Sequence, residues 1–205
     1  MVLTGQPLNI YDADDNTGDD YIVSDDYQGK FTTFDGKEID LIPGDLVISD
    51  KSSVICLAGI MAGEKASVRP STRNITIEAA CFYHANIRHT SSRLGLSSFS
   101  SQLFSKERNP KLITEALAVT ISLLPEFLES YELTSYSSFN RSEMTNEPFP
   151  FSLEALNARL GSSYTEEEVD EVLAAYRIEK RENGTIIPPL DRVDLKEQCD
   201  IDEEV

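Results

Sequence analysis

The run Phe31-Thr-Thr-Phe-Asp-Gly-Lys-Glu-Ile-Asp-Leu41 decides how the first half of the chain is built. Apolar and β-branched residues flank Asp35-Gly36, and an Asp-Gly pair in that setting is a strong hairpin signal, because glycine accepts the positive φ a tight turn needs. Outward from it lie further short β-rich runs, Leu46-Val-Ile48, Val54-Ile-Cys-Leu57 and Asn74-Ile-Thr-Ile77, each bounded by turn residues. Residues 21–83 are therefore expected to build a sheet. From Pro110 the apolar spacing becomes helical, running from Leu112 and Ile113 through Ala116 and Leu117 to Leu124, where Pro125 interrupts or kinks it. This helix is expected to lie on the sheet.

Residues 134–148 are polar and turn-rich, which places a domain boundary there and divides the chain into 1–146 and 147–205. The second part spells strand, helix, helix, hairpin. Ser152 is placed to cap a helix ending at Gly161, Thr165 with Glu168 forms a capping box, and Asn183-Gly184 turns a hairpin closed by Pro188-Pro189. So short a unit buries a thin core and is expected to lean on a neighbour. The fold class is α+β: a mixed sheet with packed helices, followed by a small helix-helix-hairpin unit.

The 205 residues carry a formal net charge of −18, which repels phosphate backbones and excludes autonomous, non-specific binding of DNA or RNA. Any nucleic acid must be held mainly by something else. No run approaches the ~20 apolar residues of a membrane helix, and no basic-then-apolar leader opens the chain, so a soluble, cytoplasmic protein without a membrane partner is expected. Cys56, Cys81 and Cys199 are odd in number and widely spaced, which suits reduced thiols. The sequons at Asn74, Asn140 and Asn183 then carry no meaning. Twelve acids stand between Asp12 and Asp50 against two lysines. Asp12, Asp14 and Asn16 imitate a calcium loop, but glycine falls at Gly18 and the twelfth position is Val23, so a solvated loop is expected.

A series of collinear motifs follows in order: Thr4-Gly-Gln-Pro-Leu-Asn-Ile-Tyr-Asp12, the Gly36 hairpin, Asp45-Leu-Val-Ile-Ser-Asp50, Leu57-Ala-Gly-Ile-Met-Ala-Gly-Glu64, Thr76-Ile-Glu-Ala-Ala-Cys-Phe82 and Arg93-Leu-Gly-Leu96. Together they resemble the tRNA-editing domain of bacterial phenylalanyl-tRNA synthetase beta subunits, and residues 147–205 are similar to the small domain that follows it. The resemblance covers essentially the whole chain and implies a fragment of a larger subunit, with its C-terminal helix truncated. It implies an α2β2 enzyme using ATP, Mg2+, phenylalanine and tRNA(Phe), with aminoacylation on the alpha subunit and the small domain helping to dock it.

Such an editing site hydrolyses tyrosyl-tRNA(Phe), because a pocket for phenylalanine rejects tyrosine only modestly. The group that reads the tyrosine hydroxyl falls on Glu78, and the small-residue walls fall on Ala58, Gly59 and Ala62. A carboxylate suits this task, since phenylalanine would leave it buried and unpaired at a cost of ~1–3 kcal/mol.

The chain departs from the family where the chemistry lies. Asn9 replaces a histidine and cannot take a proton near neutral pH. After Leu96 the family's Thr, Ala, Arg, Glu and Gly become Ser98, Ser100, Leu103, Ser105 and Glu107. The hydroxyls of Ser98 and Ser100 remain to orient a water, and weak or absent hydrolysis is predicted. The rival from another class is a non-catalytic assembly module. His84 and His89 stand in no motif-defined relation to a nucleophile and are expected to be surface or cap residues. After Pro188-Pro-x-x-Arg-x-Asp194 the acids Asp194, Asp200, Glu203 and Glu204 match the family's magnesium ligands in spacing, with Asp202 outside the pattern. Hard oxygen donors suit magnesium, although the short final helix predicts no bound metal here.

Overall fold

The computed structural model describes residues 3–14, 20–50, 53–139 and 147–205. Residues 15–19 of the acidic loop, the sequon at Asn140 and the expected boundary at residue 146 lie outside the described residues. The chain divides into two compact units, Met1–Ser138 and Phe139–Val205. The α+β class expected from the sequence is what the structure shows, with every strand pairing among the described residues antiparallel.

The first unit opens with β1 (Leu8–Asp12), β2 (Ile22–Ser24), β3 (Gly29–Thr32) and β4 (Glu38–Leu41). β3 and β4 are the hairpin around Asp35-Gly36, with Thr32 opposite Glu38. Its turn is wider than a two-residue Asp-Gly connection. The Thr33 N–H donates to the Lys37 carbonyl at 3.0 Å, the Gly36 N–H donates to the Thr33 carbonyl at 2.8 Å, and Gly36 has φ of 81°. Glycine thus supplies the one left-handed residue of a three-residue loop, while the Thr33 hydroxyl bonds Asp35 and the Lys37 backbone.

β5 (Val47–Ser49), β6 (Val54–Leu57) and β7 (Met61–Ala62) join β2 in the order β2-β5-β6-β7. A 3-10 turn at Glu64–Ala66 leads to β8 (Ile75–Ala79), which returns to pair with β1. Then come α1 (His84–Leu94), α2 (Phe99–Phe104) and α3 (Leu112–Phe127). α3 packs against β8, as expected of the apolar helix, but it outlasts Pro125 by two residues. A proline in the last turn removes a single backbone bond, and the Leu128 N–H still reaches the Leu124 carbonyl at 2.9 Å. Two clusters form the core, one around Phe31, Leu41, Leu57, Ile87 and Phe104, the other around Tyr11, Ile48, Ile55, Cys56 and Ala58.

The second unit runs β9 (Phe149–Pro150), α4 (Leu153–Leu160), α5 (Glu166–Ala175), β10 (Glu179–Lys180), β11 (Thr185–Ile187) and α6 (Gln198–Glu204). Ser152 accepts from the Ala155 N–H, Gly161 ends α4 at φ of 67°, and Thr165 with Glu168 closes a reciprocal capping box. β10 and β11 pair across Asn183-Gly184, and β9 flanks β11. Leu156, Val169, Leu173, Ile186 and Ile201 close its core.

Candidate functional site

Gln6, wholly buried, donates from Nε2 to the Ala80 carbonyl at 2.7 Å, fastening the approach to β1 beside the exit of β8. The antiparallel register then sets Asn9 opposite Glu78 and Tyr11 opposite Thr76. Strand residues two apart share a face, so Asn9, Tyr11 and Glu78 converge. Asn9 Nδ2 donates to Glu78 Oε2 at 3.0 Å, and the Tyr11 hydroxyl donates to the same oxygen. Oε1 takes no donor among the described residues.

Glu78 is only half-buried by surface area, yet protein surrounds its carboxylate closely enough to desolvate it. That burial raises its pKa above the ordinary carboxylate value, against the opposing pull of the Tyr11 and Asn9 hydrogen bonds. Tyr11 is 1% exposed, and burial first, then Cys56 and Glu78, push its phenol far up. The Cys56 thiol is raised likewise, by burial and then by Glu78. Tyr11 and Cys56 therefore stay protonated at neutral pH. The cluster can hold a carboxyl group and hydrogen-bond a hydroxyl, but Asn9 supplies no acid–base function to it.

The small residues lie beside this cluster. Ala58 is fully buried within the Tyr11 cluster, and Ala62, half-buried on β7, packs against it. Gly59 has φ of 67°, and a Cβ there would stand 3.0 Å from Phe82 and 3.2 Å from both Ile87 and Phe104. Phe82 and Phe104 meet edge to face with centroids 5.3 Å apart. Glycine is required at 59 both by the left-handed backbone and by this close approach.

Ser98 is the N-cap of α2. Its hydroxyl donates to the Ile60 carbonyl at 2.6 Å and accepts the Ser101 N–H at 3.0 Å, while the Ser101 hydroxyl accepts the Ser98 N–H at 2.9 Å. The hydroxyl proton expected to orient a water is thus engaged in holding helix to loop. Ser100 is half-buried in the first turn of α2, and no hydrogen bond among the described residues joins Ser98 to Asn9 or Glu78. His84 starts α1 beside the Tyr83 ring, at 5.1 Å between centroids, and His89 is exposed on the same helix.

Two of the four acids of the second unit share one guanidinium. Arg192 forks onto Asp194, with Nε at 3.0 Å from Oδ1 and Nη2 at 2.7 Å from Oδ2, and also donates to Glu204. Its guanidinium carbon lies 5.6 Å from the centroid of Tyr176. The Arg192 bonds lower the pKa of both carboxyls. Asp200 accepts the Lys196 and Glu197 N–H groups at 2.7 and 3.0 Å, pinning the start of α6, and Glu203 is exposed. Among the described residues the group of candidate ligand atoms that does gather, within 4.8 Å, is Glu197, Cys199 and Asp200. A guanidinium on two of the four carboxylates does not fit a magnesium cage. Asp202, outside the expected pattern, is buried and paired with Arg159 of α4, so it anchors α6.

Sequence reasoning missed Tyr11 and Arg192. The signals available were a tyrosine two residues along the strand from Asn9 and an Arg-x-Asp spacing before the acidic end.

Residues 1–129 match the B3/4 domain family, and the chain belongs to it. Over its whole length it is similar to proteins named phenylalanine–tRNA ligase beta subunit. With that of Streptococcus agalactiae it is 33% identical over 211 residues, covering 100% of this chain and 26% of the relative. With those of Geobacter sulfurreducens and Fusobacterium nucleatum it is 32% and 31% identical over 209 and 206 residues, covering 98% of this chain and 26% of each relative. The chain thus spans about a quarter of the length of the curated relatives it matches. No helix among the described residues is long and apolar enough to cross a membrane.

Proposed function

We propose that this chain is part of a phenylalanine–tRNA ligase beta subunit, a cytoplasmic enzyme, and that its first unit is an editing domain with weak or no hydrolysis of tyrosyl-tRNA(Phe). The observation that carries this is the commitment of two of the three groups at the hydrolytic positions. Asn9 spends its amide on Glu78, and Ser98 spends its hydroxyl on Ile60 and Ser101. A recognising carboxyl group remains, but neither a proton acceptor near neutral pH nor a free hydroxyl donor stands at those two positions. Residues 147–205 form the docking unit for an alpha subunit in an α2β2 tetramer. The alpha subunit would supply the ATP- and Mg2+-dependent charging of tRNA(Phe).

The test is deacylation of tyrosyl-tRNA(Phe) by the ligase assembled with this beta-subunit sequence. Release of tyrosine at most slightly faster than spontaneous ester hydrolysis is the expected result. Rapid release abolished by Glu78→Ala would overturn it. The second reading, a purely structural module, is favoured by the Ser98 cap and corresponds to no enzyme-dependent release at all.

A further inference from the structure

We propose that Tyr11 is an internal occupant of the tyrosine-reading site, its own phenol standing on Glu78 where a substrate phenol would stand. This rests on the reading of Glu78 as the group that recognises the tyrosine hydroxyl. The geometry carries the rest. The Tyr11 hydroxyl donates to Glu78 Oε2, and the tyrosine is buried with Ala58 in one packed cluster, against which Ala62 and Phe82 pack. Ala58 and Ala62 are the residues assigned to the small-residue wall. A phenol on the carboxyl group and a ring among the small residues are the two contacts a tyrosyl ligand would make, and Tyr11 makes both from within the chain.

An ordinary core tyrosine needs a partner for its hydroxyl, and a backbone carbonyl meets that need more cheaply than a carboxyl group that must itself be desolvated. Here the partner is the acid whose register position faces Asn9, and Asn9 donates to the same oxygen. Both donors hold Oε2, so the acid is positioned while the space against that oxygen is filled. An external tyrosine must expel a buried side chain to enter. The site therefore discriminates against its own ligand class by occupancy, independently of whether hydrolytic groups are present.

Opening the site tests the proposal. In the whole chain, Tyr11→Ala removes the phenol and leaves a cavity beside Glu78, and calorimetry compares L-tyrosinamide with L-phenylalaninamide on the unaltered chain, on Tyr11→Ala and on Tyr11→Ala with Glu78→Ala. The unaltered chain is expected to bind neither, and Tyr11→Ala to bind tyrosinamide about tenfold more tightly than phenylalaninamide. That preference is expected to vanish when Glu78 is also replaced. Binding of tyrosinamide by the unaltered chain as tightly as by Tyr11→Ala overturns the proposal, as does a folded Tyr11→Ala without the preference.

Should Tyr11→Ala fail to fold, Tyr11→Leu keeps the apolar packing and vacates only the phenol end. It is expected to bind phenol about tenfold more tightly than benzene, with equal or no binding overturning the proposal. Rapid hydrolysis of tyrosyl-tRNA by the unaltered ligase would sink the functional reading. Absent hydrolysis combined with a Glu78-independent response in Tyr11→Ala would sink the occupancy alone.

Discussion

Glu78 in the first unit is held by two neutral donors, Asn9 and Tyr11, whereas Asp194 and Glu204 in the second share the guanidinium of Arg192. Both arrangements accommodate acids in a chain of net charge −18, and their consequences are opposite. Neutral donors leave burial in command at Glu78, so its pKa rises and its proton is held more tightly. The guanidinium lowers the pKa of Asp194 and Glu204, fixing both as anions. Asp45 separates the two causes, because it is as buried as a core residue yet paired with Arg93. Burial opposes its ionisation, but Arg93, the Ile42 N–H at 2.9 Å and the Thr90 hydroxyl at 2.8 Å outweigh it and its pKa falls. At Asp45 the hydrogen bonds, that of Arg93 first and those of Ile42 and Thr90 after it, set the direction against burial.

The largest effect that sharpens this comparison is expected at Asp45. Replacing it with alanine leaves Arg93, Thr90 and the Ile42 amide without their acceptor, and removing one partner of so enclosed a pair costs about 3 kcal/mol. Chemical denaturation of Asp45→Ala against the unaltered chain measures it. Because the folded pKa of Asp45 is lowered, its contribution is present above the ordinary value of 3.8 and is lost as pH falls through the folded one. The unaltered chain should therefore lose its advantage over Asp45→Asn in acid.

Glu78 should behave in the reverse sense and by a smaller amount. Its folded pKa is raised, so its contribution is full below the ordinary value of 4.5 and declines as pH rises through the folded value. Glu78→Gln removes the titration. Its stability relative to the unaltered chain is expected to improve from pH 5 towards pH 8, as read by thermal unfolding across that range. A difference that does not change with pH would mean that neutral donors do not leave Glu78 desolvated. The smallest effect falls at Arg192, whose partners sit at a partly exposed rim: Arg192→Ala should cost less than about 1 kcal/mol in the same denaturation experiment.

The parts of the fold legible in the sequence are those set by neighbours along the chain. The Asp35-Gly36 and Asn183-Gly184 hairpins and the caps at Ser152, Gly161 and Thr165 each depend on a few consecutive residues whose local bonding is the same wherever they occur. The site was legible only as positions. Glu78 meets Asn9 and Tyr11 through a strand pairing that spans nearly seventy residues, and no local spacing reveals which face Tyr11 takes. The sequence offers Ser98 as a hydroxyl to orient a water, whereas its place as a helix cap depends on the Ile60 carbonyl brought from a distant loop. Arg192 beside Asp194 is local, but its second bond, to Glu204, exists only because α6 folds back towards it.

The central claim is that the recognising acid persists while Asn9 and Ser98, two of the three groups at the hydrolytic positions, are committed to other bonds. Single-turnover release of tyrosine from tyrosyl-tRNA(Phe) by the assembled ligase tests it most directly. Release at most slightly faster than the spontaneous reaction is the expected result. Rapid release that disappears in Glu78→Ala would contradict it.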